Sequence, residues 1–294
     1  MSAPGSSALS DVLQIGARTF RWGERTFVMG IINVTPDSFS GDGILGGPAA
    51  DPTAAAVALA RQMVADGADM IDVGGESTRP GHAPVSEADE MARVVPAVAA
   101  IRAALLTVPI SIDTTKPAVA EAALDAGADL LNDIWATAPA DDLARLAGER
   151  GVAYVLMHNR QEPRYDDVVR EVVADLERAI ERAVGLGVSL DHVIVDPGIG
   201  FGKTAEHNLA LLHDLAALRV LNRPILLGTS RKSTIGKVLG GLPVDQRLEG
   251  TLATTALGIG AGADIVRVHD VAANVRAARM SDAIVRGGWR ETDQ

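Results

Sequence analysis

Polar side chains able to bind, coordinate or exchange protons close one short apolar run after another in this chain. Val28 to Ile32 ends in Asn33, Met70 to Val73 in Gly74-Gly75-Glu76, Ile110 to Ile112 in Asp113, and Leu130-Leu131 in Asn132-Asp133. Val152 to Met157 runs into His158, Val193 to Val195 into Asp196, and Ile225 to Leu227 into Gly-Thr-Ser-Arg-Lys, residues 228 to 232. Ile265 to Val268 carries Arg267 and stops at His269. Asp113, Asn132 and Asp196 are short and rigid. Together they offer two carboxylates and an amide, an acceptor-rich set suited to the N–H edge of a polar heterocycle. Each could instead cap the helix that follows it. Ser230-Arg-Lys-Ser233 and Arg267-Val-His269 supply cations of the kind that hold a phosphorylated or carboxylated ligand. Asn33, with Asp37 near it, presents hard oxygens that suit Mg²⁺ bridged to a phosphate. His158 reads as a ring satisfying its own loop.

Asp196-Pro-Gly-Ile-Gly-Phe-Gly-Lys-Thr204 invites a nucleotide-binding label that its spacing refuses. A P-loop places four residues between its first Gly and Gly-Lys-Thr, whereas Gly198 and Gly202 enclose three and Pro197 stands where the Gly belongs. A dinucleotide fingerprint needs Gly where Lys203 stands. What remains is a glycine-rich loop that lets a ligand approach the backbone, beside a strand-end acid. Phe201 in this loop, and Phe39 in Thr-Pro-Asp-Ser-Phe-Ser-Gly, lie outside any regular face and could either plug their loops or contact a flat ligand.

The elements that must position these residues follow from period and punctuation. Between the eight apolar runs lie segments of helical pattern, spanning 52–66, from 86 onward, 117–126, 139–150, 166–185, 206–221, 245–260 and 271–285. Gly67-Ala-Asp, Gly127-Ala-Asp and Gly262-Ala-Asp each precede a strand, Gly ending a helix in a left-handed cap and Asp turning the chain into the sheet. Alternating β and α segments imply parallel strands joined by helical crossovers. An open sheet gathers its ligand residues at one switch point, whereas a barrel draws them from most strand ends, as here. The expectation is an α/β fold, a (β/α)8 TIM barrel. A short N-terminal β-hairpin turning at Gly16 should sit at its bottom. Residues 12–294 read as one domain, and 1–11 as a polar, disordered tail that is no signal peptide.

Composition narrows the classes. Hydrophobic content of 47% over 294 residues is that of a soluble globular chain. The uncharged stretch from Gly250 to Ala263 is too short to span a bilayer and reads as a buried helix. A net charge of −11 argues against phosphate-mediated nucleic-acid binding, so any anion must meet a local site. The absence of cysteine excludes disulfides and thiolate chemistry and fits a cytoplasmic setting.

The motif set, taken together, resembles the dihydropteroate synthase family of folate biosynthesis. The resemblance rests on Asn33-Val-Thr-Pro-Asp-Ser-Phe-Ser40, Asp72-Val-Gly-Gly-Glu-Ser-Thr-Arg-Pro-Gly81, Ser111-Ile-Asp-Thr114, Asn132-Asp-Ile134 and Met157-His158. It continues through Asp196 to Lys203, Ser230 to Ser233 and Arg267 to Asp270, in the family's order from about Val28 to Val285. It implies condensation of 6-hydroxymethyl-7,8-dihydropterin diphosphate with 4-aminobenzoate, giving 7,8-dihydropteroate and diphosphate, with Mg²⁺ as cofactor in a cytoplasmic homodimer. By resemblance, Asp113, Asn132, Asp196 and Lys232 hold the pterin, with Met157 on its face. Asn33 binds Mg²⁺, while Arg267, His269 and the backbone near Val268 hold the diphosphate with Thr78 close by. Phe39, Thr78, Arg79 and Pro80 shape the aminobenzoate pocket beside Phe201, and Ser233 receives its carboxylate. Asp113, Lys232, Arg267 and His269 are the catalytic candidates.

The family pattern Ser-Phe-Ser-Asp-Gly-Gly is broken here by Gly41 before Asp42, which bears on the first loop. Thr78-Arg-Pro80 keeps the usual pattern and leads to an expectation of sulfonamide sensitivity. Two alternatives share the pterin array. A methyltetrahydrofolate methyltransferase domain would have no use for the diphosphate clamp, and a non-catalytic pterin-binding homologue would be expected to lose it.

Overall fold

Short runs of Val, Ile and Leu, buried on both faces, become the strands of a parallel sheet because helical crossovers cover one face and the other strands cover the second. The computed structural model describes residues 12–35, 51–76, 85–138, 141–287 and 289. The chain begins with an antiparallel pair, β1 (Val12–Ile15) and β2 (Arg18–Arg21), and enters the main sheet at β3 (Phe27–Asn33). It then alternates through α1 (Pro52–Ala65), β4 (Met70–Gly74), α2 (Glu87–Ala104), β5 (Ile110–Asp113), α3 (Pro117–Asp125), β6 (Leu130–Asp133) and α4 (Asp142–Arg150). β7 (Ala153–Met157), α5 (Val168–Gly185), β8 (Val193–Asp196), α6 (Ala205–His213) and β9 (Leu226–Leu227) follow. α7 (Ser233–Val238), α8 (Leu248–Ala261), β10 (Ile265–Val268) and α9 (Val271–Val285) complete it.

The eight strands lie in the order β8-β7-β6-β5-β4-β3-β10-β9, all parallel. A bridge between Val195 and Ile225, with Val195 N donating to Pro224 O at 2.9 Å, joins β8 to β9 and closes the barrel. Outward residues such as Ile32, Val73, Ile112, Leu156 and Val268 pack with the helices in one core. Inward residues Phe27, Met29, Met70, Leu130, Val155, Ile194, Leu226 and Ile265 form a second. Leu13, Ile15 and Phe20 of the hairpin join this inner core, so the hairpin is the barrel's floor. Phe20 meets the Phe27 ring edge-on, with centroids 4.9 Å apart.

The Gly-Ala-Asp echo does structural work. Gly67, Gly127 and Gly262 all have φ between 103° and 111°, as helix exits that a Cβ would strain. Each following Asp then accepts from a backbone N–H at or beside the start of a neighbouring strand: Asp69 from Val28 at 2.9 Å, Asp129 from Ile110 at 2.8 Å, and Asp264 from Ile225 at 3.0 Å.

Several expectations need correction. The segment read as one helix over 206–221 breaks at Asp214 into α6 and a 3₁₀ stretch, Leu215–Leu221. A further helix, α7, grows directly from the Ser-Arg-Lys-Ser motif. The stretch 250–263 is not wholly buried, since α8 hides Thr251, Thr255 and Ile259 but leaves Leu257 74% exposed. The expected tail, 1–11, lies outside the described residues.

Because Phe20 is only 2% exposed and closes the floor, Phe20→Ala should cost about 3–5 kcal/mol. Urea denaturation reads this directly, and a loss below 1 kcal/mol would show that the hairpin does not plug the barrel.

Candidate active site

The strand parity that sends apolar residues to the inner core also aims the polar ones. Two residues above Met70, Leu130, Ile194 and Ile265 stand Asp72, Asn132, Asp196 and Arg267, and two above Val155 stands Met157. Register sets them side by side: Gly74 pairs with Asp113, Asp113 with Asn132, and Met157 with Asp196. Asn132, Ile134, Met157, Asp196, Ile199, Phe201, Gly228, Lys232 and Arg267 line one pocket at the barrel's C-terminal mouth. The structure therefore brings together six of the residues the sequence singled out. None of Asp113, Asn132 and Asp196 caps a helix, because Lys116, Asp141 and Thr204 occupy those positions.

Arg267 is the electrostatic centre. Its Nη2 lies 2.6 Å from Asp72 Oδ2 and 2.6 Å from Asp113 Oδ2, and its Nε donates to Asp72 at 2.6 Å. The guanidinium expected to face only a diphosphate is thus also fixed to two carboxylates at the pocket wall. Burial raises the Asp113 carboxyl to about 7, with Arg267 and Lys232 opposing and Asp72 adding to the rise. Burial likewise brings Asp196 up to about 6, against the pull of the Gly198 N–H, Lys232 and Arg267. Asp72 was not among the expected site residues, although an Asp at the inward middle position of an apolar strand was its signal. It is fully buried, accepts from Asn132 Nδ2 at 3.3 Å, and faces Ser111 in register. Asp72 Oδ1 and Ser111 Oγ are both buried without a hydrogen-bond partner.

The loop after β8 is held from within. Asp196 Oδ1 accepts from Gly198 N at 2.7 Å, which makes a turn. Gly198 has φ 68°, and a Cβ there would lie 1.9 Å from the His158 carbonyl oxygen, so only glycine fits. Lys203 Nζ donates to the carbonyls of Gly198 at 3.0 Å and Phe201 at 2.9 Å and lies 2.9 Å from His158 Nδ1. Burial drops His158 to about 4, so it is neutral, with Nε2 3.1 Å from Asp175. As the sequence suggested, its ring satisfies a loop. Burial also lowers Lys203, to about 7. Sequence reading assigns Lys203 no role beyond ending the glycine-rich motif, because only the fold brings the carbonyls of His158, Gly198 and Phe201 around it.

On the cationic side, Lys232 Nζ sits 3.9 Å from the Phe201 ring centroid. Ser230 Oγ lies 2.9 Å from His269 Nδ1 and accepts from His269 N at 3.1 Å, orienting that imidazole. Arg231 turns away onto Asp270, with contacts of 3.0 and 2.7 Å, so its charge faces a carboxylate. The Val268 side chain packs in the outer core, which leaves its backbone alone for a ligand. Ser233 opens α7. Asn33 ends β3 in register with Gly74, and its Oδ1 lies 3.8 Å from where a Cβ on Gly74 would stand. Asp37, Phe39, Thr78, Arg79 and Pro80 lie outside the described residues.

Fold and site define a class: a parallel α/β barrel whose C-terminal rim joins a pocket lined by Asn132 and Asp196 to the cations Lys232 and Arg267. A family model described as pterin binding enzyme matches residues 29–269. A dihydropteroate synthase from Clostridium beijerinckii is 50% identical over 275 residues, 93% of this chain and 100% of that one. The Clostridium difficile dihydropteroate synthase, crystallised in the presence of pteroic acid, is 47% identical with a TM-score of 0.85, covering 91% of this chain and 99% of that one. The Xanthomonas albilineans dihydropteroate synthase with 4-aminobenzoic acid has a TM-score of 0.87 at 39% identity, covering 94% and 98%. The chain belongs to the dihydropteroate synthase family of pterin-binding enzymes.

Replacing Arg267 by Met strands two carboxylates, which should destabilise the fold by about 3–5 kcal/mol at neutral pH. Without the guanidinium, the folded-state pKa of Asp113 rises further above its unfolded value. The deficit is then constant below about pH 7, where Asp113 is protonated in both folded proteins, and it grows as pH rises through and above 7, where only the wild-type carboxyl ionises. Thermal denaturation from pH 5 to 9 should show that trend, and a pH-independent deficit would contradict it.

Proposed function

We propose that this chain, as a dihydropteroate synthase, works by dissociative transfer of the pterinylmethyl group from diphosphate to 4-aminobenzoate, yielding 7,8-dihydropteroate. The observation that carries this reading is the division of one rim. Asn132 and Asp196 line a pocket together with Lys232 and Arg267, Asp113 is joined to that wall through Arg267, and Ser230 orients His269 two residues beyond Arg267. The acceptors suit the N–H edge of the pterin, with Met157 on its face, and the cations suit the diphosphate.

The bond from the methylene carbon to the diphosphate oxygen breaks, and its electron pair leaves with the oxygen. Arg267, His269 and backbone N–H groups near Val268 counter the charge that develops there. The electron-rich ring shares the positive charge left on the methylene carbon, and Asp113, once ionised, stabilises it through space. The arylamine nitrogen then forms the new C–N bond, and the resulting acidic ammonium gives its proton to solvent without needing a strong general base. Lys232 stays near the pterin over Phe201. Ser233, at the start of α7, receives the aminobenzoate carboxylate, and Phe39, Thr78, Arg79 and Pro80 complete that pocket.

Asn33, a side-chain oxygen donor at the end of β3, would hold Mg²⁺. Among the described residues no cluster of three His, Asp or Glu offers an all-protein cage, whereas Mg²⁺ characteristically takes one or two protein oxygens plus phosphate and water. When bound, the ion adds neutralisation of the leaving group. Residues 12–294 act as one barrel unit in this reading, in the cytoplasm. Leu257 of α8 and Ile284 of α9, 74% and 70% exposed on helices that pack together, support a homodimer through that face, which sedimentation at micromolar concentration tests. Among the described residues no helix is long and apolar enough to cross a membrane.

Incubating the chain with the pterin diphosphate and 4-aminobenzoate should give dihydropteroate in the presence of Mg²⁺, much less after chelation, and little with a sulfonamide present. Pterin binding without turnover would defeat the reading. Asp113→Asn should lower kcat roughly 10²–10³-fold while largely sparing pterin affinity. In the wild type kcat/KM should rise with pH through about 7 as Asp113 ionises in the free protein, and the variant should lack that limb. Near-normal turnover by the variant would remove Asp113 from the mechanism.

A further inference from the structure

We infer that Asn208 is a positioning residue that sets the spacing between the two substrate subsites, an assignment that rests on the synthase reading. Asn208 lies on α6, contacts no proposed substrate group, and is 2% exposed. Its Oδ1 accepts from Gly200 N at 2.8 Å, in the loop that carries Phe201. Its Nδ2 donates to Thr234 Oγ1 at 2.9 Å, next to Ser233 at the start of α7. The amide orientation is dictated by its partners, because a backbone N–H can only donate and so must face the oxygen. One rigid side chain thus ties the pterin-side loop to the helix that presents Lys232 and Ser233.

The surrounding contacts make that spacing matter. Gly200, at φ 85°, passes so close to the Lys232 stem that a Cβ would lie 3.1 Å from Lys232 Cδ. Lys232 Nζ rests 3.9 Å over the Phe201 ring. Loop and helix start therefore meet at Lys232, which lines the pocket with Phe201 and immediately precedes Ser233. The loop's other edge is fixed separately by Lys203 on the carbonyls of residues 198 and 201. Lys203 fixes the loop's internal shape, and Asn208 fixes its distance from α7. Thr234 is itself 4% exposed, so water cannot readily replace the amide on its hydroxyl.

The test compares Thr234→Val, Thr234→Ser and Asn208→Leu, measuring KM for 4-aminobenzoate, calorimetric Kd for the pterin diphosphate, and melting temperature. Thr234→Val frees α7 from the tie and should raise the aminobenzoate KM roughly threefold to tenfold, the worth of one buried hydrogen bond, with pterin Kd within about twofold of wild type. Thr234→Ser keeps the hydroxyl and should restore the KM. Asn208→Leu releases both ends and should raise both constants, and adding Thr234→Val to it should bring no further rise in KM. The assignment is overturned if Thr234→Val lowers only the melting temperature, or if the two substitutions multiply in their effect on KM. Absence of turnover in the wild-type chain would instead overturn the synthase reading itself, whatever the variants do.

Discussion

A charged guanidinium buried among carboxylates is the constraint on which this barrel mouth depends. Arg267 could not be held there alone, because an unpaired charge in a low-dielectric site costs several kcal/mol. Asp72 and Asp113, each 2.6 Å away, balance it. The arrangement fixes the positions of three strands at once, since β4, β5 and β10 each contribute a member. It also leaves Asp113 poised, with burial pushing its carboxyl up and Arg267 restraining the rise. A carboxylate tuned in this way can answer positive charge that develops beside it, which an exposed, fully solvated carboxylate would do weakly.

The same economy of partners recurs around the loop after β8. A backbone segment this rich in glycine would be mobile by composition, yet its carbonyls find Lys203, its N–H groups find Asp196 and Asn208, and its path is filled by the neutral His158. Glycine is needed at Gly198 because the chain passes against the His158 carbonyl. Order in the loop comes from these buried polar contacts, so Phe201 reaches the pocket on a fixed base instead of closing over it as a flexible cover. Beneath both features, the hairpin's Leu13, Ile15 and Phe20 fill the barrel where strand-end chemistry is absent.

Much of this was legible from period and punctuation. The polar strand ends marked the functional rim, and the Gly-Ala-Asp echoes marked helix exits whose Asp side chains anchor neighbouring strands. Less visible was Asp72, because an acid inside an apolar run looks like an interruption until the parity of β4 places it inward beside Arg267. The helix broken at Asp214 was hidden for a related reason: apolar spacing continues through the 3₁₀ stretch, so periodicity alone cannot see the change of pitch. α8 misled in the other direction, its uncharged run concealing a face that leaves Leu257 in solvent.

Sequence by itself determined the alternation of strand and helix, the barrel that follows from it, and the kinds of groups at the rim. These are local properties, set by residue type, period and the conformations that Gly, Pro and Asp favour. Tertiary structure alone decided which charges meet. It turned Arg231 onto Asp270, set Arg267 between Asp72 and Asp113, and brought Asn208 between Gly200 and Thr234. Those pairings join residues as far apart in the chain as 72 and 267, and barrel closure with strand register, not local preference, brings them within hydrogen-bonding distance.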